Sequence, residues 1–212
     1  MVQTISGVKQ NLWRRQQSGL FAPIRRNFPI DSLALYAPLW HPELNVSPFI
    51  SKDLNARSCT VTGATWGTQG RTLDGNDYID CGSTTNALTN GGLFSVMAWV
   101  KVTTTQSYQG IITKCGPTET NNGWMLTADD VAGKFQWRHF NGAGVVSSFS
   151  YVLNRWYCLE GVREGGAAGE CKLYADGLLD ATGTAGTLTN SANIVIGREY
   201  AGVGNYYLKG VV

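Results

Sequence analysis

Residues 94–102 read Phe94-Ser-Val-Met-Ala-Trp-Val-Lys-Val102 and carry two interleaved rows. Phe94, Val96, Ala98, Val100 and Val102 alternate with Ser95, Met97, Trp99 and Lys101. Successive side chains of a strand point to opposite faces, so a period of two marks a β-strand. Both rows are largely apolar, which predicts a mid-sheet strand covered on both faces. Outward from this stretch, shorter strands are predicted at 33–40, 58–62, 71–73, 78–81, 111–115, 124–127, 135–140 and 145–151. Others follow at 156–163, 171–175, 178–182, 194–197 and 206–212. Turn chemistry separates them: His41-Pro42, the run from Gly67 to Gly70, Asn121-Asn122-Gly123, Asn141-Gly142, residues 164–169 and Asp176-Gly177. Asp74-Gly75-Asn76-Asp77 reads as a hairpin. No long helix is predicted, only one helical turn at 86–90. Strands every ~8–12 residues with Gly and Asn turns predict an all-β, antiparallel two-sheet sandwich or a barrel.

Composition agrees with that class. The chain has 212 residues, enough for one large β domain with a substantial core. Its 26 glycines exceed the usual ~7% share, and without a collagen-like period they read as turns. Charged residues make up 15%, so the surface is polar but weakly charged. The net charge of +2 is unevenly spread. Residues 1–30 hold Lys9, Arg14, Arg15, Arg25 and Arg26 and no acid, which sets them apart as a basic arm or linker. Residues 31–212 form the sandwich. The arm is a docking candidate for an acidic partner, an anionic membrane surface or self-assembly; its charges are too sparse to favour nucleic acid.

The five cysteines, Cys59, Cys81, Cys115, Cys158 and Cys171, show no CxxC and no ligand-spaced His. They read as buried thiols, with disulfide pairing left open. Residues 1–30 lack the apolar core of a signal peptide, and no apolar run is long enough to span a membrane. An extracellular or virion-surface location is compatible with the composition.

Four stretches together resemble the laminin-G-like jelly roll of the concanavalin-A-like lectin and glucanase superfamily. They are Leu33-Ala-Leu-Tyr-Ala-Pro-Leu-Trp40; Gly63-Ala-Thr-Trp66 followed by Leu73-Asp-Gly-Asn-Asp-Tyr-Ile79; Phe94-Ser-Val-Met-Ala-Trp-Val100; and Trp156-Tyr157 with Lys172-Leu-Tyr-Ala-Asp-Gly177 and Ile196-Gly-Arg198. They occur in family order across residues 33–212. The resemblance implies a concanavalin-A-like jelly roll, with Trp99 and Trp156 as inter-sheet anchors. Against the family pattern, Tyr207-Leu-Lys-Gly-Val-Val212 stops inside the expected last strand, and the stump would leave a sheet edge or slot open to another chain.

Glucanases of this superfamily imply paired acids on alternate strand positions, and no E-x-D-x-x-E occurs here. Asp129 and Asp130 are adjacent, so a strand would point them apart. His41 and His139 lack a nucleophile motif, and no phosphate-cradling loop is present. The expectation is therefore a non-enzymatic binding module for a carbohydrate or surface glycoconjugate. Alternatives are an assembly subunit of a virion, phage particle or extracellular fibre, and an unrecognised glycoside hydrolase. Tyr108, Trp124, Tyr200 and Tyr206 are the candidate aromatic platforms, with Asn121, Asn122 and Arg198 as polar partners. The resemblance also implies a candidate Ca²⁺ site at Asp53 and Asn55, with turn capping as the alternative.

Overall fold

The computed structural model describes residues 33–83, 93–116, 123–129, 133–139, 143–164, 170–186, 188, 192–199 and 206–212. The basic arm, residues 1–30, and the turn predicted at 86–90 lie outside them. A 3-10 turn at Pro42–Leu44 precedes fifteen short strands. These are β1 (Phe49–Ile50), β2 (Ser58–Thr62), β3 (Thr65–Gly67), β4 (Gly70–Asp74), β5 (Tyr78–Ser83), β6 (Phe94–Val102), β7 (Gln109–Lys114) and β8 (Trp124–Asp129). Then come β9 (Lys134–His139), β10 (Ala143–Val146), β11 (Trp156–Glu164), β12 (Glu170–Ala175), β13 (Leu178–Thr184), β14 (Asn193–Ile196) and β15 (Lys209–Val211).

The antiparallel ladder runs β1-β2-β5-β14-β7-β8-β9-β10-β13-β12-β11-β6-β15-β4-β3. It folds over where β10 meets β13 at the single pair Gly144 and Thr184. The two halves then pack face to face. Phe94 of β6 lies 5.8 Å from Trp124 of β8 and 5.9 Å from Trp137 of β9. Phe135 of β9 lies 5.0 Å from Tyr157 of β11. Trp137 Nε1 donates to Val162 O at 3.3 Å, which satisfies the buried indole across the core. The approach is close enough that a Cβ on Gly161 would sit 2.3 Å from the Trp137 ring. This is the all-β sandwich that the strand pattern predicts, in the jelly-roll form that the resemblance implies.

Several sequence expectations change. Residues 33–40 form no strand. Side chains hold that segment instead: Asn55 Nδ2 donates to Leu33 O at 3.0 Å, Arg57 Nε to Ala34 O at 2.8 Å, and Tyr36 N–H donates to Asp53 Oδ2 at 2.9 Å. The turn at Asp74 to Asp77 is real, with Asp74 N–H donating to Asp77 Oδ2 at 2.9 Å, but it joins no hairpin. β4 pairs with β3 and β15, and β5 with β2 and β14, so the turn is a crossing between the halves. Trp99 is not an inter-sheet anchor. Val96, Val100 and Val102 are buried, whereas Met97 and Trp99 are 56% and 58% exposed, so the outer face of β6 is uncovered. At the C-terminal end, β15 lies between β4 and β6 and is paired on both sides. Asp176-Gly177 is the predicted two-residue hairpin: both residues have positive φ, at 51° and 81°, and Ala175 faces Leu178.

All five cysteines are free, and four are buried. Burial, and then the nearby Glu199, push the Cys115 thiol up to about 12. Burial takes Cys171 to about 12 against the opposing pull of Arg163. Among the described residues, no helix is long and apolar enough to cross a membrane.

Candidate functional site: the outer face of β7, β8 and β9

Alternation on β9 separates two chemistries. Phe135, Trp137 and His139 are buried, and Lys134, Gln136 and Arg138 alternate with them. The register extends the second row across the sheet: Arg138 faces Met125, Gln136 faces Thr127 and Lys134 faces Asp129 on β8. Thr113 of β7 faces Met125 in turn. The result is a polar row on the outer face, backed by the aromatic core.

This outer face is partly roofed. Thr113 Oγ1 donates to Arg198 O at 2.9 Å, and Cys115 Sγ donates to Glu199 O at 2.9 Å. A Cβ on Gly110 would lie 2.2 Å from the Arg198 carbonyl carbon, so only glycine lets the 198–199 backbone cross β7 here. Glu199 N–H also donates to Tyr206 O at 3.0 Å, which brings Tyr206 to the same edge. Thr127, Asp129 and Glu199 are buried polar residues at this face. Gln136 Nε2 donates to Asp129 Oδ2. Among the described residues the buried Thr127 hydroxyl has no hydrogen-bond partner, an arrangement that costs about 1–3 kcal/mol unless another group or a ligand supplies one.

Aromatic residues border the row. Tyr108 and Tyr206 meet edge to face with centroids 5.6 Å apart. The Arg138 guanidinium lies 5.7 Å from the Tyr108 ring centre, within cation–π range. Tyr108 has φ +51°, a conformation that bulky residues rarely adopt and that concentrates at functional positions.

The structure therefore brings together Tyr108 and Tyr206 from the sequence candidates. Arg198 is nearby in the backbone, but its guanidinium stacks over Tyr78 at 4.0 Å. Trp124 does not belong with them as a stacking platform: it is 1% exposed and packs on Phe94 and Trp137 in the core. Its row on β8, with Leu126 and Ala128, points inward. Asn121, Asn122 and Tyr200 lie outside the described residues. Arg138, Gln136 and Thr127 were missed from the sequence. The alternation Lys134, Gln136, Arg138 against Phe135, Trp137, His139 was the available signal.

Asp53 and Asn55 have structural partners. Asp53 Oδ2 accepts from Tyr36 N–H and Oδ1 from Asn55 N–H, both at 2.9 Å. Burial pushes the Asp53 carboxyl up, but hydrogen bonds from Ser51, Tyr36 and Asn55 outweigh it and hold the group below its ordinary value. Ca²⁺ takes about 6–8 oxygens. Among the described residues, no three His, Cys, Asp or Glu side chains converge on a common point. The local donor set fits turn capping, and it falls short of a calcium cage by itself.

A family model described as the concanavalin A-like lectin/glucanases superfamily, Laminin_G_3, matches residues 73–212. The chain belongs to this superfamily. Its laminin-G-like domain shares its fold with domain 4 of AbnA, a GH43 extracellular arabinanase from Geobacillus stearothermophilus, solved in complex with arabinotriose. That match has a TM-score of 0.55 and 16% identity, and it covers 73% of this chain and 78% of that one. The botulinum neurotoxin serotype D binding domain matches with a TM-score of 0.53 and 19% identity, over 70% of this chain and 40% of that one. No curated protein matches the sequence significantly.

Proposed function

We propose that this laminin-G-like domain is a non-catalytic carbohydrate-binding module that seats a sugar chain on the outer face of β7, β8 and β9. The observation that carries the reading is the meeting of Tyr108, Tyr206 and Arg138 at the end of the row in which Gln136 faces Thr127, whose buried hydroxyl has no partner among the described residues. A sugar ring offers an apolar C–H face and a rim of hydroxyls. The tyrosines suit the first, and Arg138, Gln136 and Thr127 suit the second. A preformed polar row costs little ordering on binding. The arabinanase domain with the same fold, held with arabinotriose, supports the ligand class.

The test is a glycan array on the purified chain, in calcium and again in EGTA, with Arg138→Ala and Tyr108→Ala run in parallel. The expected result is binding by the wild type and a roughly 10-fold or greater loss in Arg138→Ala, as for a hydrogen bond to a charged group. Loss in EGTA would give Asp53 and Asn55 a metal-holding role in addition to their turn contacts. Absence of binding by the folded wild-type chain would overturn the reading.

A further inference from the structure

β2 and β5 bring two of the five free cysteines together. Their antiparallel register sets Thr60 opposite Asp80, Val61 opposite Ile79 and Thr62 opposite Tyr78. Continued by one residue, it sets Cys59 opposite Cys81. Directly opposed residues share a face, and here both belong to the core, at 0% and 1% exposure. Backbone directions fix the kind of pair. Arg57 O accepts from Ser51 N–H, and Val61 N–H donates to Ser47 Oγ, both at 2.9 Å. Both bonds run to the β1 side of β2, where Phe49 faces Cys59. Alternate residues of an antiparallel strand aim their backbone groups the same way, so Cys59 also aims at β1, and Thr60 aims at Asp80. Cys59 and Cys81 are therefore a non-hydrogen-bonded pair, the closer of the two kinds, with Cα atoms about 4.5 Å apart. That lies within the span of about 4.4–6.8 Å that a disulfide bridges.

The two thiols are in contact. A hydrogen bond with the Cys59 thiol, and then burial, push the Cys81 thiol well above its ordinary value, against the opposing pull of Arg57. The printed β2–β5 pairing ends at Thr60 and Asp80. β5 then bulges beside Cys81: Asn193 of β14 faces Ser83 and Val195 faces Asp80, so β5 carries one residue more, and Gly82 takes φ +71°. The Cys81 backbone is thus outside strict pairing on both sides and has room to settle into disulfide geometry. The other three cysteines have different neighbours. Cys158 lies opposite Trp99, Cys171 lies between Arg163 and Gly183, and Cys115 packs with Met125.

We propose that Cys59 and Cys81 are a cross-strand disulfide site, oxidised by a low-molecular-weight disulfide as β2 and β5 pair during folding. The thiolate of one cysteine attacks a sulfur of the small disulfide and releases one small thiolate. The thiolate of the other attacks the protein sulfur of that mixed disulfide, forms the Cys59–Cys81 bond and releases the second small thiolate. The two protons and two electrons that the cysteines lose end on the two small thiols. Folding is the moment for this exchange, because the thiolate is the attacking form and the folded surroundings of Cys81 disfavour it. Once folded, both residues are buried, which shields the bond from reductants. The bond closes residues 59–81 into a loop. That loop contains β3 and β4, which lie at the far edge of the other half, next to β15. One covalent bond thus ties both ends of an excursion between the halves, and it restricts the unfolded chain more than the folded one. This inference goes beyond glycan binding and does not depend on it.

The experiment starts from the reduced full chain, unfolded in urea and refolded by dilution into a mixture of reduced and oxidised glutathione. Remaining thiols are alkylated, and the link is located by mass spectrometry of peptides cut without reduction. A parallel sample stays in high urea with the same glutathione. Another is never unfolded and meets the glutathione in low urea, where edge strands open. The expected result is one dominant link, Cys59 to Cys81, in the refolded and low-urea samples, and scrambled pairing in high urea. The linked chain should melt about 5–10 °C above the reduced one. In Cys81→Ala the oxidant should leave the melting midpoint unchanged. Three results would overturn the proposal: a different dominant pair, thiols left free or only glutathionylated in both folded samples, or a linked chain that melts no higher than the reduced one.

Discussion

At the scale of single residues, Gly161 and Trp137 set how closely the two halves approach. Gly161→Ala places a methyl group against a rigid, fully buried ring, and strands on both sides are fixed by their ladders. The expected cost is about 1–3 kcal/mol, read as a lower denaturation midpoint with an unchanged slope. His139 carries a pH dependence. It is buried, its Nδ1 accepts from Gly186 N–H at 3.1 Å, and burial, with the Arg163 charge adding to it, lowers its pKa from 6.5 to about 4. The unfolded chain takes up this proton at higher pH than the folded one. The neutral form's stabilisation is therefore full above about pH 6.5 and declines as pH falls towards 4, by about 3 kcal/mol in all. Unfolding free energies across that window should show the decline in the wild type and a flatter profile in His139→Gln. An equally steep profile in the variant would assign the effect to other groups.

At the scale of elements, strand existence was legible wherever side chains alternate strongly. Phe94–Val102 matches its predicted bounds, and Trp156–Glu164 extends its prediction by one residue. The Asp176-Gly177 hairpin was legible because both positions need positive φ. What was not legible was partner choice. Asp74 to Asp77 has hairpin chemistry, but a turn sequence does not say whether the chain returns beside itself or crosses to the other half. Trp99 looked like core because its row is apolar; which face of a two-sided strand is covered depends on strands far away in sequence. Residues 33–40 alternate like a strand, yet Asp53, Asn55 and Arg57 take their backbone groups. Asp53→Ala removes the acceptors for two backbone N–H groups and should cost about 1–3 kcal/mol, with faster amide exchange at Tyr36 and Asn55. Asp53→Asn, which keeps one acceptor oxygen, should lose less. The thiols give a second check on the elements. Cys158 is the one cysteine that is not buried, so native protein should react with a thiol reagent at Cys158 before the other four, which become reactive on unfolding.

At the scale of the whole molecule, the sandwich exposes two unlike surfaces. The half containing β7, β8 and β9 offers a polar row bordered by Tyr108, Tyr206 and Arg138. The half containing β6 offers an apolar outer face on which Met97 and Trp99 are more than half exposed. The first was half legible in the sequence: Tyr108 and Tyr206 were singled out, but their convergence with Arg138 arises from strand register, which no local pattern encodes. The claim at the centre of this account is that the polar row is where a sugar binds. Its most direct test is nuclear magnetic resonance titration of the labelled chain with the glycan that the array selects. The account predicts that shifts concentrate at Tyr108, Thr127, Gln136, Arg138 and Tyr206 and vanish in Arg138→Ala. Shifts confined to Met97 and Trp99, or spread without a centre, would contradict it.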